Sequence, residues 1–247
     1  MKIGIGAGSQ GEKVLASIRG VRGDITIVCY APTGTGIAFP AGVHVVESDR
    51  PEEALVSDLA SGALDAAVRG ALPANSTLSL LKQAMGVGRL ERVALLETGA
   101  GTRFLLAPVG VDEGWTIAEK LALIEKSRPI ARRFGLDERT AVLSGGRMGD
   151  VGRHERVDAT LAEAELIARI AGADHAEILI EDAVLNHGII IAPDGICGNL
   201  IFRTLVFLGG GIGHGAPVVN IDRIFVDTSR ASPDYANAIL LASSLVK

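Results

Sequence analysis

The densest group of polar side chains lies near the end of the chain. Asp227, Ser229, Arg230 and Asp234 stand within eight residues, after a strand pattern and before a helical pattern over 234–246. They would lie in a loop at the carboxyl end of a strand, where α/β proteins bind ligands. An ordinary helix cap with a surface ion pair, which contributes little to stability, explains the same residues. This run alone leaves both interpretations open.

A second run, Ser144-Gly145-Gly146-Arg147, follows an apolar strand pattern and precedes a helical segment. Glycines leave backbone N–H groups free to point at an anion, and Arg147 adds a positive charge. A plain strand-to-helix turn does not need the arginine. We therefore interpret this run as an anion-binding loop.

Two further runs also leave two interpretations open. Ser76 and Thr77, with Lys82 beyond them, could bind phosphate oxygens at a helix N-terminus or could simply cap that helix. Asp194 and Asn199 belong to the run Asp-Gly-Ile-Cys-Gly-Asn, which opens another helical pattern. Asp194 could cap this helix or orient a ligand.

A glycine-rich turn at residues 6–11, Gly-Ala-Gly-Ser-Gln-Gly, has the form of a dinucleotide-binding loop. That mechanism also requires an acid at the end of the second strand, to hold the ribose hydroxyls. The second strand ends at Tyr30 and Ala31 with no carboxylate, so a turn that packs helix against strand explains the glycines better. The histidines and the two cysteines show no zinc-ligand spacing, and we predict no metal site.

The elements that must position these residues alternate between strand and helix patterns, which predicts a mostly parallel sheet with helices on both faces. Helical patterns cover 10–19, 52–59, 77–85, 116–134, 157–171, 200–208 and 234–246. Buried-strand patterns cover 24–30, 43–46, 66–68, 92–96, 104–107, 141–143, 178–180 and 188–192. The sequence therefore predicts an α/β fold.

Composition limits the partners. The net charge of −5 argues against a general nucleic-acid binder, whereas a phosphate-bearing small molecule needs only a few local cations. The most apolar late stretch, 200–213, contains Arg203 and a glycine run and is too short to span a bilayer. We expect a soluble, cytoplasmic protein with no membrane association.

Taken in order along the chain, these segments resemble the phosphate acetyltransferase and butyryltransferase family and the related acyl-phosphate synthases of phospholipid synthesis. The resemblance covers most of the chain and rests on five segments, 68–77, 106–108, 131–144, 194–199 and 227–230. It implies a two-domain fold like that of isocitrate and isopropylmalate dehydrogenases, with a cleft between the domains. The first domain would comprise 1–107 plus 218–247 and the second 108–217, and the protein would be a homodimer.

The resemblance also implies an activity, which is acyl transfer between phosphate and a thiol carrier. Asp234 would deprotonate the thiol, and Ser229 and Arg230 would stabilise the developing oxyanion and the phosphate. Ser76, Thr77 and Lys82 would contact phosphate. No cofactor would be tightly bound, and coenzyme A is the candidate co-substrate. The chain departs from the family pattern at Ala231, which replaces a glycine, and at Lys82, which replaces an arginine.

The chain is most similar to the archaeal MtxX-type methanogenesis marker family, whose members carry a methyltransferase label. That similarity implies an alternative function: a methyltransferase, or a subunit associated with one, in archaeal one-carbon metabolism and methanogenesis. In both cases the protein would be a transferase.

Overall fold

The computed structural model describes residues 1–8, 10–21, 23–36, 40 and 42–246. Ser9, which belongs to the glycine-rich turn, lies outside this description. The strands, in chain order, are β1 (Lys2–Gly6), β2 (Thr26–Ala31), β3 (Val43–Glu47), β4 (Ala66–Val68), β5 (Ala94–Glu97), β6 (Arg103–Ala107), β7 (Thr140–Val142), β8 (Asp174–His175), β9 (Ile189–Ile191), β10 (Ile212–Pro217) and β11 (Ile224–Asp227). The helices are α1 (Gly11–Arg19), α2 (Pro51–Ser61), α3 (Ala74–Ala84), α4 (Ile117–Arg133), α5 (Glu155–Ala171), α6 (Ile180–Asn186), α7 (Gly195–Phe207) and α8 (Ala236–Val246).

The chain divides into two compact units. Unit 1 comprises Met1–Leu90 and His214–Lys247, and unit 2 comprises Glu91–Gly213. Unit 2 begins before the predicted residue 108 because β6 pairs in parallel with β9 and β5 forms a hairpin with β6. It ends before the predicted residue 217 because Ala216 and Pro217 pair with β11 of unit 1.

In unit 1 the strands β3, β2, β1, β4 and β11 lie side by side in that order, all parallel. The chain passes from β1 to β2 on one side and later to β4 on the other, so the strand order reverses at β1. Loops on either side of such a point open a crevice at the carboxyl ends of the strands. The sheet is buried against α2 by an apolar cluster that includes Leu55, Leu59 and Phe225.

In unit 2 the parallel strands β6, β9, β7 and β8 lie in that order, with β5 antiparallel to β6. The central strand β9 is three isoleucines, all buried, as expected for a strand covered on both faces. Helix α4 begins where the sequence predicts, with the Thr116 hydroxyl accepting a bond from the Glu119 N–H at 3.2 Å. The predicted α/β class with mostly parallel strands is confirmed.

The predicted strand at 178–180 is wrong. Ile178 is half exposed, Glu177 has a positive φ of 54°, and Ile180 begins α6. A run of three apolar residues cannot by itself distinguish a buried strand from the start of a helix. The glycine run that follows α7 leads into β10, which begins at Ile212. None of the helices in the described ranges is long and apolar enough to cross a membrane.

Candidate functional site

The candidate site of unit 1 is built on the loops that follow β1, β4 and β11. Glycines let the first two loops approach each other. A Cβ on Gly70, whose φ is +60°, would lie 2.2 Å from the Gly6 carbonyl oxygen, and one on Gly8 would lie 2.8 Å from the Ala71 oxygen. The Ala71 N–H donates to the Gly6 carbonyl at 2.8 Å. The glycine-rich turn therefore packs directly against the loop after β4.

A buried ion pair joins the loops after β4 and β11. The Arg69 Nε lies 2.5 Å from Asp227 Oδ1, and both side chains are almost entirely buried. Arg69 also donates to the Leu72 carbonyl at 2.7 Å, and the Thr228 N–H donates to Asp227 Oδ1 at 2.8 Å. Each charge thus has hydrogen-bond partners, as burial requires. Arg69 is not among the predicted site residues, although an arginine directly after an apolar strand is a usable signal.

Helix α1 contributes Lys13 and Ser17, one turn apart on the same face, to the loop after β11. The Lys13 Nζ donates to the Arg230 carbonyl at 2.8 Å and stands 4.7 Å from the centre of the Tyr235 ring. The Ser17 hydroxyl accepts a bond from the Tyr235 N–H at 2.8 Å. Partial burial lowers the pKa of Lys13, and the charge of Asp234 opposes that shift.

Tyr235 lies in the middle of this group. Its side chain is 1% exposed, and its hydroxyl has no hydrogen-bond partner among the described residues. Burial raises the pKa of Tyr235, while the positive charges of Arg69 and Arg230 oppose the shift. Tyr235 is not among the predicted site residues either.

The residues predicted to be catalytic lie together in the same loop. The Ser229 hydroxyl, half-buried, accepts a bond from the Ala231 N–H at 3.2 Å. Arg230 is exposed. Asp234 is also exposed, and its carboxylate accepts a bond from the Ala236 N–H at 3.0 Å, at the start of α8. Their catalytic roles stay predictions.

The residues on α3 lie differently from the cap that the sequence allowed. The helix begins at Ala74 and its N-cap residue is Pro73, so Ser76 and Thr77 belong to the first turn. The Thr77 hydroxyl donates to the Pro73 carbonyl at 2.7 Å, and its side chain is fully buried. The interpretation of these residues as caps is wrong, and Thr77 faces the core. Ser76 and Lys82 are half-buried, and their contact with phosphate stays a prediction.

The predicted anion-binding loop of unit 2 is closed by internal hydrogen bonds. The Gly145 N–H donates to the Thr160 hydroxyl at 2.9 Å. The Arg147 N–H donates to Asp150 at 2.8 Å, and the Met148 N–H donates to Glu177 at 2.8 Å. A Cβ on Gly146 would lie 2.8 Å from the Val157 side chain. Three of the N–H groups that would face an anion are therefore already bonded to the protein.

Ser144 is also committed within unit 2. Its side chain is buried, and its Oγ lies 2.9 Å from both the Gly146 carbonyl and His175 Nε2. The other ring nitrogen of His175 lies 3.3 Å from a Glu165 carboxylate oxygen. The arrangement ties the loop after β7 to β8 and α5. The Arg147 side chain is exposed, and its role in binding an anion stays a prediction.

The Asp-Gly-x-x-Gly-Asn run holds α7 against residues 108–113. Asp194 is the N-cap residue of α7 and accepts a bond from the Cys197 N–H at 2.8 Å. Asn199 donates to the Val109 carbonyl at 3.0 Å. A Cβ on Gly195 or Gly198 would lie within 2 Å of a backbone carbonyl oxygen, that of residue 110 or 108 respectively. The two glycines thus have packing contacts, Asp194 caps the helix and Asn199 holds the preceding loop. A ligand role for Asp194 and Asn199 stays a prediction.

No group of His, Cys, Asp and Glu that could hold a metal ion occurs within the described ranges. Burial raises the pKa of Cys29 to about 12 and also raises the pKa of Cys197, which lies beside Asp194. Both cysteines are free thiols, and neither has the lowered pKa that marks a reactive thiolate.

The fold is that of the phosphotransacylases. A branched-chain phosphotransacylase from Enterococcus faecalis superposes over the whole of both chains with a TM-score of 0.77 at 18% identity. A 4-hydroxythreonine-4-phosphate dehydrogenase from Klebsiella pneumoniae superposes over 100% of this chain and 99% of its own, with a TM-score of 0.63 at 13% identity. The predicted likeness to phosphotransacetylases is confirmed at the level of the fold.

Sequence relatives identify the family. The chain is 51% identical over 208 residues to the "Putative methyltransferase mtx subunit X" of Methanosarcina barkeri, covering 82% of this chain and 77% of the relative. It is 39% identical over 245 residues to an uncharacterized methyltransferase of Methanopyrus kandleri, covering 95% and 93%. No protein-family model matches. The chain belongs to the Mtx subunit X family, and the prediction of a transferase is confirmed at the level of that family's name.

Proposed function

We propose that this Mtx subunit X relative is a transferase that binds an anionic, phosphate-bearing substrate at the loops after β1, β4 and β11 of unit 1. The observation that carries the proposal is the group of cationic side chains at these loops. Lys13 donates to the Arg230 carbonyl, and the charges of Arg69 and Arg230 act on Tyr235. Cationic side chains at the carboxyl ends of parallel strands, beside a reversal of strand order, favour an anion.

The reaction that this arrangement suits best is acyl transfer between phosphate and a thiol carrier, with coenzyme A as the candidate co-substrate. Asp234 would take the proton from the thiol, and the thiolate would attack the carbonyl carbon of the acyl phosphate. Arg230 and the Ser229 hydroxyl would stabilise the negative charge that develops on the carbonyl oxygen. Phosphate would then leave as the carbon–oxygen bond to it breaks, and the acyl group would remain on the thiol sulfur. The phosphotransacylase fold supports this assignment.

Methyl transfer, by the chain or by an enzyme that it assists, is the second candidate. The observation in its favour is that relatives 39–52% identical to this chain are named as methyltransferases or a methyltransferase subunit. The sequence weighs against a nucleotide held as in dinucleotide-binding loops, because residues 25–46, which contain β2 and the loop after it, contain no acid. A homodimer in the cytoplasm, implied by the family resemblance, is part of the proposal.

Thermal unfolding with separate ligands tests the proposal. The panel is coenzyme A, acetyl phosphate, inorganic phosphate and S-adenosylmethionine. A ligand that binds only the folded protein adds about 2.7 kcal/mol at 100 times its dissociation constant, which raises the Tm by several degrees. We expect acetyl phosphate or coenzyme A to raise the Tm of the wild-type protein. The increase should disappear in Arg230→Ala.

Arg19→Ala is the matched control, because Arg19 is an exposed arginine in the last turn of α1 of the same unit. It removes the same charge and should keep the increase in Tm. If no phosphate-bearing ligand raises the Tm of the wild-type protein, the proposal is wrong. An increase with S-adenosylmethionine alone would favour methyl transfer instead.

A further inference from the structure

The Tyr235 hydroxyl is a buried hydrogen-bond donor with no acceptor among the described residues. Native proteins give partners to more than about 90% of their buried polar groups, so an exception calls for an explanation. The residue is held in place, because its side chain is 1% exposed and the Tyr235 N–H donates to the Ser17 hydroxyl. The unpaired hydroxyl is therefore a fixed feature of unit 1.

The charged neighbours of Tyr235 explain what is missing. Lys13, Arg69 and Arg230 carry donors and no acceptors, so none of them can accept a bond from the hydroxyl. The acidic side chains of the cluster have other partners. Asp227 accepts from Arg69 and from the Thr228 N–H, and Asp234 accepts from the Ala236 N–H. The group that the site lacks is a hydrogen-bond acceptor, and the surrounding positive charge favours a negative one.

Tyr235 is suited to donate rather than to accept a proton. Burial raises the pKa of the phenol, so the hydroxyl keeps its proton at neutral pH despite the two nearby guanidinium groups. A neutral donor adds one further directional hydrogen bond to the charge attraction that the cations supply. The Lys13 side chain, which reaches across the ring to the Arg230 carbonyl, is long and flexible and can move aside when a ligand enters.

We propose that the Tyr235 hydroxyl donates a hydrogen bond to an oxygen of the anionic substrate and so helps to select it. The inference rests on the proposed function, because it concerns the same site and adds a residue that helps to recognise the substrate. The acceptor is an anionic oxygen of the kind found on a phosphate or on a carboxylate.

The test compares the two tyrosines of the chain. Tyr235→Phe removes a hydroxyl that has no partner in the described ranges, so the ligand-free protein should be as stable as the wild type or more stable. Its affinity for inorganic phosphate or acetyl phosphate should fall roughly tenfold, the size expected from one lost hydrogen bond to a charged group. Acetate, titrated in parallel, distinguishes a carboxylate oxygen from a phosphate oxygen.

Tyr30→Phe is the matched control. The Tyr30 hydroxyl is equally buried but donates to Asp58 at 2.6 Å in the core of unit 1. This variant should lose stability and keep the wild-type affinity, which is the opposite of the result for Tyr235→Phe. Calorimetric titration and urea unfolding measure the two quantities on each variant.

The inference is overturned if Tyr235→Phe binds phosphate, acetyl phosphate and acetate with wild-type affinity. It is also overturned if that variant is destabilised as much as Tyr30→Phe, because the hydroxyl would then have a partner within the protein. If the wild-type protein itself binds none of these anions, the proposed function fails and the inference falls with it. Failure of the inference alone is visible only in the variant, so the two failures are distinguishable.

Discussion

The loop after β11 in unit 1 and the loop after β7 in unit 2 both contain residue types that are typical of a ligand site. They differ in whether the polar groups have hydrogen-bond partners within the protein. Both follow a strand and both combine serine with arginine, at Ser229-Arg230 and at Ser144–Arg147. In unit 2 the Ser144 hydroxyl and three N–H groups of the loop are hydrogen-bonded within the protein. In unit 1 the buried Tyr235 hydroxyl has no acceptor within the part of the chain that the structure describes.

This difference teaches that the type and spacing of residues do not by themselves identify a ligand site. Glycines after a strand can open a loop to an anion, or they can let the loop close tightly on its neighbours. A Cβ on Gly145 would lie 2.9 Å from the Thr160 hydroxyl, which already accepts the Gly145 N–H. Unsatisfied polar groups in a rigid setting are the better sign, because their cost must be offset by something that binds.

The largest effect that would sharpen the comparison is expected at the ion pair beneath the unit 1 loop. Asp227→Ala leaves the Arg69 guanidinium buried without its counter-charge and should reduce the free energy of unfolding by about 3–5 kcal/mol. Urea unfolding measures the loss. Replacing both partners at once, as Arg69→Met with Asp227→Leu, should restore part of the stability, since no unpaired charge is then buried.

An exposed pair in the same unit provides the control. Glu53 of α2 pairs with Arg50, the N-cap residue of that helix, and both side chains are more than a third exposed. Glu53→Ala should therefore cost less than about 1 kcal/mol. If Asp227→Ala costs no more than Glu53→Ala, the buried pair does not hold the loop after β11. The contrast between the two loops would then lose its physical basis in unit 1.

A smaller effect is expected where α7 of unit 2 packs on residues 108–110. Gly198→Ala places a Cβ 1.9 Å from the Pro108 carbonyl oxygen, so backbone must shift, and the cost should be about 1–3 kcal/mol or more. Gly149→Ala is the control, because a Cβ there has no neighbour within 4 Å. Binding of acetyl phosphate should be unchanged in any Gly198→Ala protein that folds. A loss of binding at equal folded fraction would instead indicate that this run contacts the ligand.

Local patterns predicted most of the fold because they depend on residues close in sequence. The alternation of apolar runs gave the α/β class, and the Thr116 cap gave the start of α4, where donor and acceptor are three residues apart. The antiparallel pairing of β5 with β6 and the helix at 180–186 were missed, since short apolar runs do not indicate their partners.

The site was predicted less well, because its decisive contacts join residues far apart in the chain. Arg69 meets Asp227 across 158 positions, and Tyr235 lies against Ser17 across 218. No spacing rule links such pairs. The glycines and Arg147 of the Ser144 loop can be identified from local sequence and indicate an anion site. The acceptors Thr160 and Glu177, which bind N–H groups of this loop, are distant in sequence and could not be predicted from it. The grouping of Ser229, Arg230 and Asp234 in one loop could be predicted because they are neighbours in sequence.

The most direct test of the central claim, that the anion binds in unit 1, is a calorimetric titration of acetyl phosphate into three proteins: the wild type, Arg230→Ala and Arg147→Ala. Both arginines are exposed, and each lies in one of the two compared loops. We predict that Arg230→Ala weakens binding by roughly tenfold or more, the loss expected when a charged hydrogen bond is removed, and that Arg147→Ala leaves it unchanged. Wild-type affinity in Arg230→Ala together with weakened binding in Arg147→Ala would contradict the claim and assign the anion to unit 2.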